Sequence, residues 1–375
     1  MLLGVLVVIA PDSFKGSLAA DQAAAAIAVG IARARPAAEV VLRPVADGGE
    51  GTVAAALAAG WSARSVTVPG PDGRPVRASY ALEGTTAVLE LAAAAGLGLL
   101  QDPAPLTATT AGVGRLVAAA LDSGAPRIVL GLGGSATTDG GAGMLQALGC
   151  RLLDDDGADL PPGGGALGRL ARIRAGGLDP RLADVDLVLA SDVDNPLVGS
   201  QGAAAVFGPQ KGASAGEVAV LDAALTRFAD VVRCDVGVEI AHLPGAGAAG
   251  GTAAGAVAVL GARLVSGAAL VCDLIGLDDA LAGADLVITG EGSLDEQTLR
   301  GKAPAEVAAR ARTAGVPCVA LAGVVRLSAA QLGSAGFAAA HALTEVEPDL
   351  TRCLAAPADV LADLAAEVLC RDFPS

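Results

Sequence analysis

The sequence predicts an α/β protein whose sheet is mainly parallel, and two observations lead to this prediction. Short β-branched runs alternate with alanine-rich stretches of helical length along the 375 residues. The short runs are apolar throughout, as expected of strands that are covered on both faces. We predict strands at Val5–Ala10, Val40–Pro44, Ile128–Gly131, Leu187–Ala190, Leu286–Thr289 and Val316–Ala320. We predict helices at Leu18–Ala34, Thr52–Ala59, Gly114–Ser123, Val218–Val232 and Pro304–Ala314.

One segment, Thr67–Glu90, departs from this pattern. Its alternating polarity and its turn dipeptides indicate an antiparallel hairpin region. We therefore expect a domain change near residue 65 and a return near residue 280. Residues 1–65 and 280–375 would form one discontinuous domain, and residues 66–279 a second α/β domain inserted in the middle.

Composition excludes several classes of function. The formal net charge is −15 and Lys and Arg form no cluster, so a nucleic-acid partner is not expected. Although 53% of the residues are hydrophobic, no run reaches the roughly 20 apolar residues that span a bilayer, so no membrane association is predicted. The apolar opening MLLGVLVVIA lacks a basic region and leads directly into Pro11, which indicates a buried strand rather than a signal peptide.

Cysteine and histidine usage points the same way. The six cysteines contain no CxxC pair, which is typical of reduced thiols in a cytoplasmic protein. The two histidines, His242 and His341, make a zinc site or a Ser-His-Asp triad hard to build. We therefore expect the chemistry to depend on carboxylates, lysines and backbone amides.

Two candidate motifs follow early strands, at the sheet edge where ligands of open α/β sheets bind. In APDSFKGS, Asp12, Ser13 and Lys15 come just after the first strand, and the lysine is a candidate phosphate ligand. The alternative is an ordinary helix start capped by Ser17. In ADGGEGT, a carboxylate stands on each side of two adjacent glycines, which favours a functional site over a simple turn. Its candidate residues are Asp47, Gly48, Gly49 and Glu50.

The middle of the chain carries two more candidate motifs. GLGGSATTDGGAG could offer backbone N–H groups to phosphate, although it matches neither common phosphate-loop signature. Its candidate residues are Gly133, Gly134, Ser135, Thr137, Thr138 and Asp139. In SDVDNP, Asp192 and Asp194 could hold Mg²⁺ or orient a hydroxyl group. The alternative is an Asx turn at Asn195-Pro196.

The fourth motif, ITGEGSLDEQTLRGKAP, places Glu291, Asp295 and Lys302 after a predicted strand. A capped helix start would not require these three together. The lysines strengthen the case, because the chain has only three, against 22 arginines, and Lys15, Lys211 and Lys302 all lie in glycine-rich motifs. A compact ammonium and a planar guanidinium are not interchangeable at a phosphoryl oxygen.

Taken in order, these motifs resemble the bacterial class I glycerate kinase family over nearly the whole chain. The resemblance rests on APDSFKGS, ADGGEGT, LGLGGSATTDGGAGMLQALG, SDVDNPLVG, GAAAVFGPQKGA, LPGAGAAGG and ITGEGSLDEQTLRGKAP. It implies a discontinuous flavodoxin-like, three-layer domain with a second α/β domain, and phosphoryl transfer from ATP to glycerate with Mg²⁺, usually giving 2-phosphoglycerate. The family's motif positions fall here on Asp12, Lys15, Asp47, Glu50, Asp192, Asp194, Glu291, Asp295 and Lys302. The turn at Val324–Arg326 is less polar than the family's, so a ligand contact there is not expected.

Phosphoryl transfer needs positioning and charge stabilisation more than covalent chemistry. We accordingly predict that Asp192 accepts the glycerate hydroxyl proton, and that Asp47, Asp194 or Glu291 holds Mg²⁺. Lys15, Lys211 or Lys302 would neutralise the phosphoryl oxygens and the glycerate carboxylate. Two alternatives stay open: a nucleotide-sugar transferase with Asp192 and Asp194 as a D-x-D metal motif, and a non-catalytic two-domain binding protein. The sequence predicts no oligomeric state.

Overall fold

The computed structural model describes residues 5–372, so the outermost residues of the predicted discontinuous domain lie outside it. The described chain contains 13 strands and 14 α-helices. The strands are β1 Leu6–Ile9, β2 Glu39–Leu42, β3 Ser62–Pro69, β4 Pro75–Glu83, β5 Thr86–Glu90, β6 Arg127–Gly131, β7 Arg151–Leu153, β8 Arg172–Arg174, β9 Asp186–Ala190, β10 Arg263–Val265, β11 Leu286–Leu294, β12 Cys318–Val325 and β13 Ala339–Ala342. The helices are α1 Ala20–Ala34, α2 Thr52–Ala58, α3 Ala92–Ala95, α4 Ala111–Asp122, α5 Ala142–Ala147, α6 Ala203–Phe207, α7 Ala215–Asp235, α8 Ala248–Leu260, α9 Gly267–Leu274, α10 Leu277–Leu281, α11 Ala303–Ala314, α12 Ala329–Ala335, α13 Leu350–Ala355 and α14 Pro357–Asp372.

The α/β class is confirmed, and each predicted strand and helix overlaps an observed one. The predicted end of the strand at Thr289 is wrong, because β11 continues to Leu294. The reason is that β12 runs beside it over the same length, with Glu291 opposite Ala322. The GEGSL part of the fourth motif is therefore strand, and only the residues after it form a turn.

The described chain divides into two compact units. The first unit contains the residues up to Asp47, Ala54–Gly60, and the residues from Ala268 onward. The second contains Gly48–Val53 and Trp61–Gly267. The assignment of domains to residues 1–65 with 280–375 and to residues 66–279 stays a prediction.

The first unit is built on a five-stranded parallel sheet in the order β13-β12-β11-β1-β2. This is the flavodoxin-like strand order. Successive side chains of a strand point to opposite faces. Val7 and Ile9 accordingly lie in one core with residues of α1 and α14, and Val8 and Ala10 in another with residues of α9, α10 and α11. Helices thus cover both faces, which gives three layers.

The second unit is built on a six-stranded sheet in the order β10-β9-β6-β5-β4-β3. Strands β10, β9, β6 and β5 are parallel, whereas β4 pairs antiparallel with β5 and β3 pairs antiparallel with β4. The antiparallel region predicted at Thr67–Glu90 is therefore confirmed. The carboxyl ends of β5, β6 and β9 lie side by side. Strands β6 and β9 lead into the GLGGSATTDGG and SDVDNP motifs, and β5 ends at Glu90.

Two further features concern the cysteines and the length of the apolar helices. All six cysteines are free thiols and four of them are buried. Across residues 5–372, we find no helix that combines the length and the apolar character needed to cross a bilayer.

Candidate active site

In the first unit, motif residues lie at the carboxyl edge of β1 and β11. The backbone N–H of Asp12 donates to the carbonyl of Gly290 at 2.8 Å, which fixes the segment after β1 against β11. Glu291 is the next residue of β11. Strand β1 has β2 on one side and β11 on the other, so the strand order reverses here. In open α/β sheets, this switch point is where ligands bind.

Asp12 is a buried carboxylate whose charge is unfavourable. It is 6% exposed and accepts a hydrogen bond from the backbone N–H of Ser13 at 2.6 Å. Burial, followed by the nearby charges of Asp47 and Glu291, raises the pKa of Asp12 to about 7, while the Ser13 hydrogen bond and Lys15 act in the opposite direction. A carboxylate with this pKa can accept a proton near neutral pH.

Glu291 is also buried, and a cation lies near it. Its Oε1 accepts a hydrogen bond from the Thr298 hydroxyl, and the Nζ of Lys302 lies 3.6 Å from its Oε2. Burial raises the pKa of Glu291, and the Thr298 hydrogen bond and the Lys302 charge oppose that shift. Lys302 is partly exposed and Lys15 is exposed, so both ammonium groups are accessible to solvent.

Asp295 organises the turn after β11. Its carboxylate accepts from the backbone N–H of Gln297 at 2.9 Å and from the Ser293 hydroxyl at 3.1 Å. The Gln297 hydrogen bond is the main reason that the pKa of Asp295 is lowered. Because this turn carries Thr298, Asp295 supports the geometry around Glu291. Its predicted contact with substrate stays a prediction.

In the second unit, the glycines of two motifs allow their backbones to approach one another. A Cβ atom on Gly133 would overlap the Cα of Gly49, and one on Gly134 would overlap the carboxylate of Glu50. Gly134 also has a φ of +69°, a conformation that favours glycine. The sequence assigned these glycines to a phosphate cradle. In the structure they bring the ADGGEGT turn and the GLGGSATTDGG loop into direct contact.

The carboxylate of Asp139 is buried and hydrogen-bonded to other protein groups. Asp139 is fully buried, and its carboxylate accepts from the backbone and hydroxyl of Thr110 at 2.9 Å each and from the backbone N–H groups of Gly141 and Gly143. Burial raises the pKa of Asp139, and these hydrogen bonds oppose the rise. The backbone amides at the start of α5, which could hold an anion, already bind this carboxylate.

Glu90 likewise accepts backbone N–H groups at the start of α2, and it was not among the residues predicted from the sequence. It ends β5, accepts the backbone N–H of Val53 at 2.7 Å, and is also hydrogen-bonded by the amides of Gly51 and Thr52. Burial raises the pKa of Glu90 against the effect of these amides. A carboxylate directly after the buried run AVL was the available signal, because the crevice of an open α/β sheet lies just beyond the carboxyl ends of its strands.

Lys211 lies inside the second unit instead of at an anion-accessible surface. It is 3% exposed, and its Nζ donates to Ser135 Oγ at 2.8 Å and to the Thr137 carbonyl at 2.7 Å. Burial lowers the pKa of Lys211 to about 7, and the charge of Asp139 opposes this shift. The hydroxyls of Thr137 and Thr138 are buried without a hydrogen-bond partner among the described residues.

The two aspartates after β9 have different surroundings. Asp192 is half-buried and its Oδ1 accepts the backbone N–H of Gly267 at 3.0 Å, whereas Asp194 is exposed. Within residues 5–372, no three carboxylate, histidine or cysteine side chains converge on a metal-sized site. The roles predicted for Asp192 and Asp194 stay predictions.

Comparisons with known proteins identify the family. Residues 7–371 match the model of the glycerate kinase family. The chain belongs to the glycerate kinase family. It is 50% identical over 322 residues to a glycerate kinase of Halalkalibacterium halodurans, covering 84% of this chain and 85% of the relative. It is 48% identical to the glycerate 2-kinase of Escherichia coli over 84% of each chain.

A solved structure agrees with this family assignment. A crystal structure of a candidate glycerate kinase 2 from Salmonella typhimurium has a TM-score of 0.84 and 43% identity, covering 98% of this chain and 97% of its own. The neighbourhood of Asp12 and Glu291 contains buried carboxylates and the ammonium groups of Lys15 and Lys302, which are kinds of group that phosphoryl transfer uses. The roles of these residues stay predictions.

Proposed function

We propose that the protein is an ATP-dependent kinase that transfers the γ-phosphoryl group to hydroxyl O2 of D-glycerate, giving 2-phosphoglycerate and ADP. Family membership supports the reaction class. One observation carries the chemical argument: buried Asp12 lies at the switch point of the parallel sheet with Asp47 and Glu291 as its charged neighbours and Lys15 nearby.

Asp12 is our proposed proton acceptor for the glycerate hydroxyl. General bases work best when their pKa lies near the working pH, and that of Asp12 is about 7. Sequence analysis placed this role on Asp192, whose carboxylate accepts a backbone N–H from Gly267. Asp192 remains the second proposed base. Lys15 and Lys302 are proposed to neutralise phosphoryl oxygens and the glycerate carboxylate, as lysines do for anionic ligands.

Mg²⁺ is the proposed metal, and it would help to neutralise the charge of the transferred group. In kinases it is usually held by one or two carboxylates together with substrate phosphates. The absence of a three-residue metal cluster within residues 5–372 fits that arrangement. Asp47 and Glu291 would hold it, and Asp194 stays the alternative. We also propose that the protein is cytoplasmic, which its six free cysteines support.

The proposed function is tested by ADP release. The full chain is incubated with ATP, Mg²⁺ and a panel of hydroxy acids that includes both enantiomers of glycerate, and the product is identified by ³¹P NMR. We expect ADP with D-glycerate and a phosphorus signal coupled to the C2 proton. A signal coupled to the C3 protons would move the acceptor to O3. Binding of glycerate without ADP release would support a non-catalytic binding protein.

The same assay can test the alternative that the protein is a nucleotide-sugar transferase. Uridine and guanosine nucleotide sugars replace ATP, and release of the nucleoside diphosphate is measured. We expect none, because this alternative gives Lys15 and Lys302 no role and the known relatives do not support it.

A further inference from the structure

Lys211 is a buried lysine whose hydrogen-bond partners are neutral. Its ammonium group donates to the Ser135 hydroxyl and to the Thr137 carbonyl. Asp139 is the charged group that acts on it, but the oxygens of Asp139 already accept four hydrogen bonds from Thr110, Gly141 and Gly143. Burying a charge without a contacting counter-ion is unfavourable. A lysine kept under these conditions indicates a role that its hydrogen bonds fulfil.

Its partners belong to the loop of residues 132–139, which carries the predicted phosphate motif. The end of α3 and the turn after it also hold this loop: Ala136 N–H donates to the Ala95 carbonyl at 2.8 Å, and Leu97 N–H donates to the Gly134 carbonyl at 2.9 Å. Lys211 adds hydrogen bonds at Ser135 and Thr137, two loop residues that these backbone contacts do not involve. It reaches the loop across 76 residues of sequence at Ser135.

The loop in turn sets the position of the neighbouring turn. Leu132 N–H donates to the Gly48 carbonyl at 3.0 Å, Gly133 packs on Gly49, and Gly134 packs on the Glu50 carboxylate. There is no space for a Cβ atom at Gly133 or Gly134, so a shift of the loop must displace the turn. Movement at Ser135 is therefore transmitted to Glu50.

We infer that Lys211 is a positioning residue of the phosphoryl-transfer reaction, which acts through Ser135 and Thr137 to fix residues 132–139 and thereby the turn Gly48–Glu50. The inference rests on the proposed function. It replaces direct contact between Lys211 and a phosphate, because the ammonium group is enclosed by protein.

A double-mutant cycle distinguishes the two roles. Lys211→Met and Ser135→Ala should each lower kcat/KM for D-glycerate and ATP by about tenfold or more, and the double variant should lose little beyond Lys211→Met, because both changes break one contact. The loss should lie mainly in kcat, with the KM for ATP changed by less than about threefold, since misplaced groups lose transition-state interactions. If the two effects multiply and KM for ATP rises tenfold, Lys211 is a ligand and the inference is wrong.

A matched control separates positioning from general destabilisation. Ser214 caps α7 in the same unit, where its hydroxyl accepts the Glu217 N–H. Ser214→Ala makes the same chemical change as Ser135→Ala and should weaken folding while leaving kcat/KM within about twofold. A loss of kcat/KM equal to that of Ser135→Ala would mean that destabilisation alone explains both variants.

Hydrogen exchange tests the positioning without requiring activity. In Lys211→Met, the amides of residues 132–139 should exchange about tenfold faster than in the wild type, while those of α7 stay unchanged. If Lys211→Met does not fold, Lys211→Gln, which keeps a donor, and Ser135→Ala take its place. Unchanged exchange in the loop overturns the inference. If the wild-type protein does not phosphorylate glycerate but the loop exchanges faster in Lys211→Met, the loop anchor is upheld and the proposed function is rejected.

Discussion

At the scale of single residues, Asp12 shows how function and stability oppose each other. Burial beside Asp47 and Glu291 raises its pKa from 3.8 to about 7, so the folded protein binds this proton more tightly than the unfolded chain. The stabilisation from the neutral form is complete below about pH 4 and is lost as the pH rises to about 7. At neutral pH the folded state therefore holds a charge that it partly disfavours, as active sites often do.

Replacing that carboxylate should separate the two effects. Asp12→Asn should abolish most of kcat, a loss of about 10²–10⁴-fold for a general base. At pH 8 the same variant should be more stable than the wild type by about 2–4 kcal/mol, since each pKa unit corresponds to about 1.4 kcal/mol. Urea unfolding at pH 5 and pH 8 measures this, and the difference between the two proteins should shrink at pH 5. Near wild-type turnover would assign the base to Asp192, which Asp192→Asn tests directly.

The pH dependence of the reaction follows from the same carboxylate. A base with a pKa of about 7 in the metal-free protein must be deprotonated to work, so kcat/KM, which reports the free enzyme, should rise between pH 6 and pH 8 and then level off. Mg²⁺ held by Asp47 and Glu291 would offset the charges that raise this pKa, so the corresponding step in kcat should lie at lower pH. In Asp12→Asn, whatever activity remains should lack this step. A wild-type profile that is flat across this range would exclude Asp12 as the base.

The two lysines of the first unit, Lys15 and Lys302, should not tolerate arginine. Lys302 lies 3.6 Å from Glu291, and Lys15 influences Asp12. Lys15→Arg and Lys302→Arg keep the charge but require a planar, wider head group. We expect each to lower kcat/KM by about tenfold, or about 1.4 kcal/mol of transition-state stabilisation.

The control for the lysine variants is Arg33→Lys in the same unit. Arg33 makes an exposed ion pair with Asp363, so the exchange should leave steady-state kinetics unchanged. Full activity of both lysine variants would show that the distribution of the three lysines reflects composition alone.

For the packing of elements, we predict that Gly133 stabilises the second unit by allowing close contact with Gly49. A Cβ on Gly133 would overlap Gly49, although its backbone conformation is open to alanine. Gly133→Ala should therefore lower the free energy of unfolding by about 2 kcal/mol or more and reduce kcat/KM. Gly168 has no atom within 4 Å of its Cβ position, so Gly168→Ala should change stability by less than about 0.5 kcal/mol. Equal stability of the two variants, measured by urea unfolding, would contradict the close approach of the motifs.

The helix start held by Glu90 gives a second element-scale prediction. Glu90→Ala leaves the amides of residues 51–53 without their acceptor and should destabilise the protein by about 1–2 kcal/mol, as loss of a cap does. Hydrogen exchange at these amides should accelerate. Glu83, exposed at the end of β4, is the matched control, and Glu83→Ala should leave both measurements unchanged.

For the molecule as a whole, we predict that the continuous part of the second unit, residues 61–267, folds alone. Residues 61–267 contain the whole six-stranded sheet and both cores of the second unit. We expect this fragment to unfold cooperatively in urea. A fragment with the boundaries predicted from sequence, residues 66–279, cuts into β3 and should be less stable. If neither fragment shows a cooperative transition, the division into two domains is rejected.

The amino-acid sequence alone was enough to predict the α/β class, the family and the approximate positions of six strands and five helices. Runs of apolar residues and alanine-rich stretches are local patterns, and local patterns set the period of strands and helices. The order of the motifs can also be read from the sequence alone. Motifs such as ADGGEGT and ITGEGSLDEQTLRGKAP therefore pointed to glycerate kinases before any contact was known. The small number of lysines also pointed to Lys15 and Lys302, and the structure places Lys15 near Asp12 and Lys302 near Glu291.

Which motif residues are buried, and how burial changes the pKa of Asp12, Asp139, Lys211 and Glu291, became clear from the three-dimensional structure. Lys211 reaches Ser135 across 76 residues and Glu90 reaches Val53 across 37, and neither pairing has a local signal. The continuation of β11 through Glu291 depended on the partner strand β12. The pKa of Asp12 depends on Asp47 and Glu291, which the fold brings near it. Burial and electrostatics are properties of neighbours in space, and the sequence places those neighbours far apart.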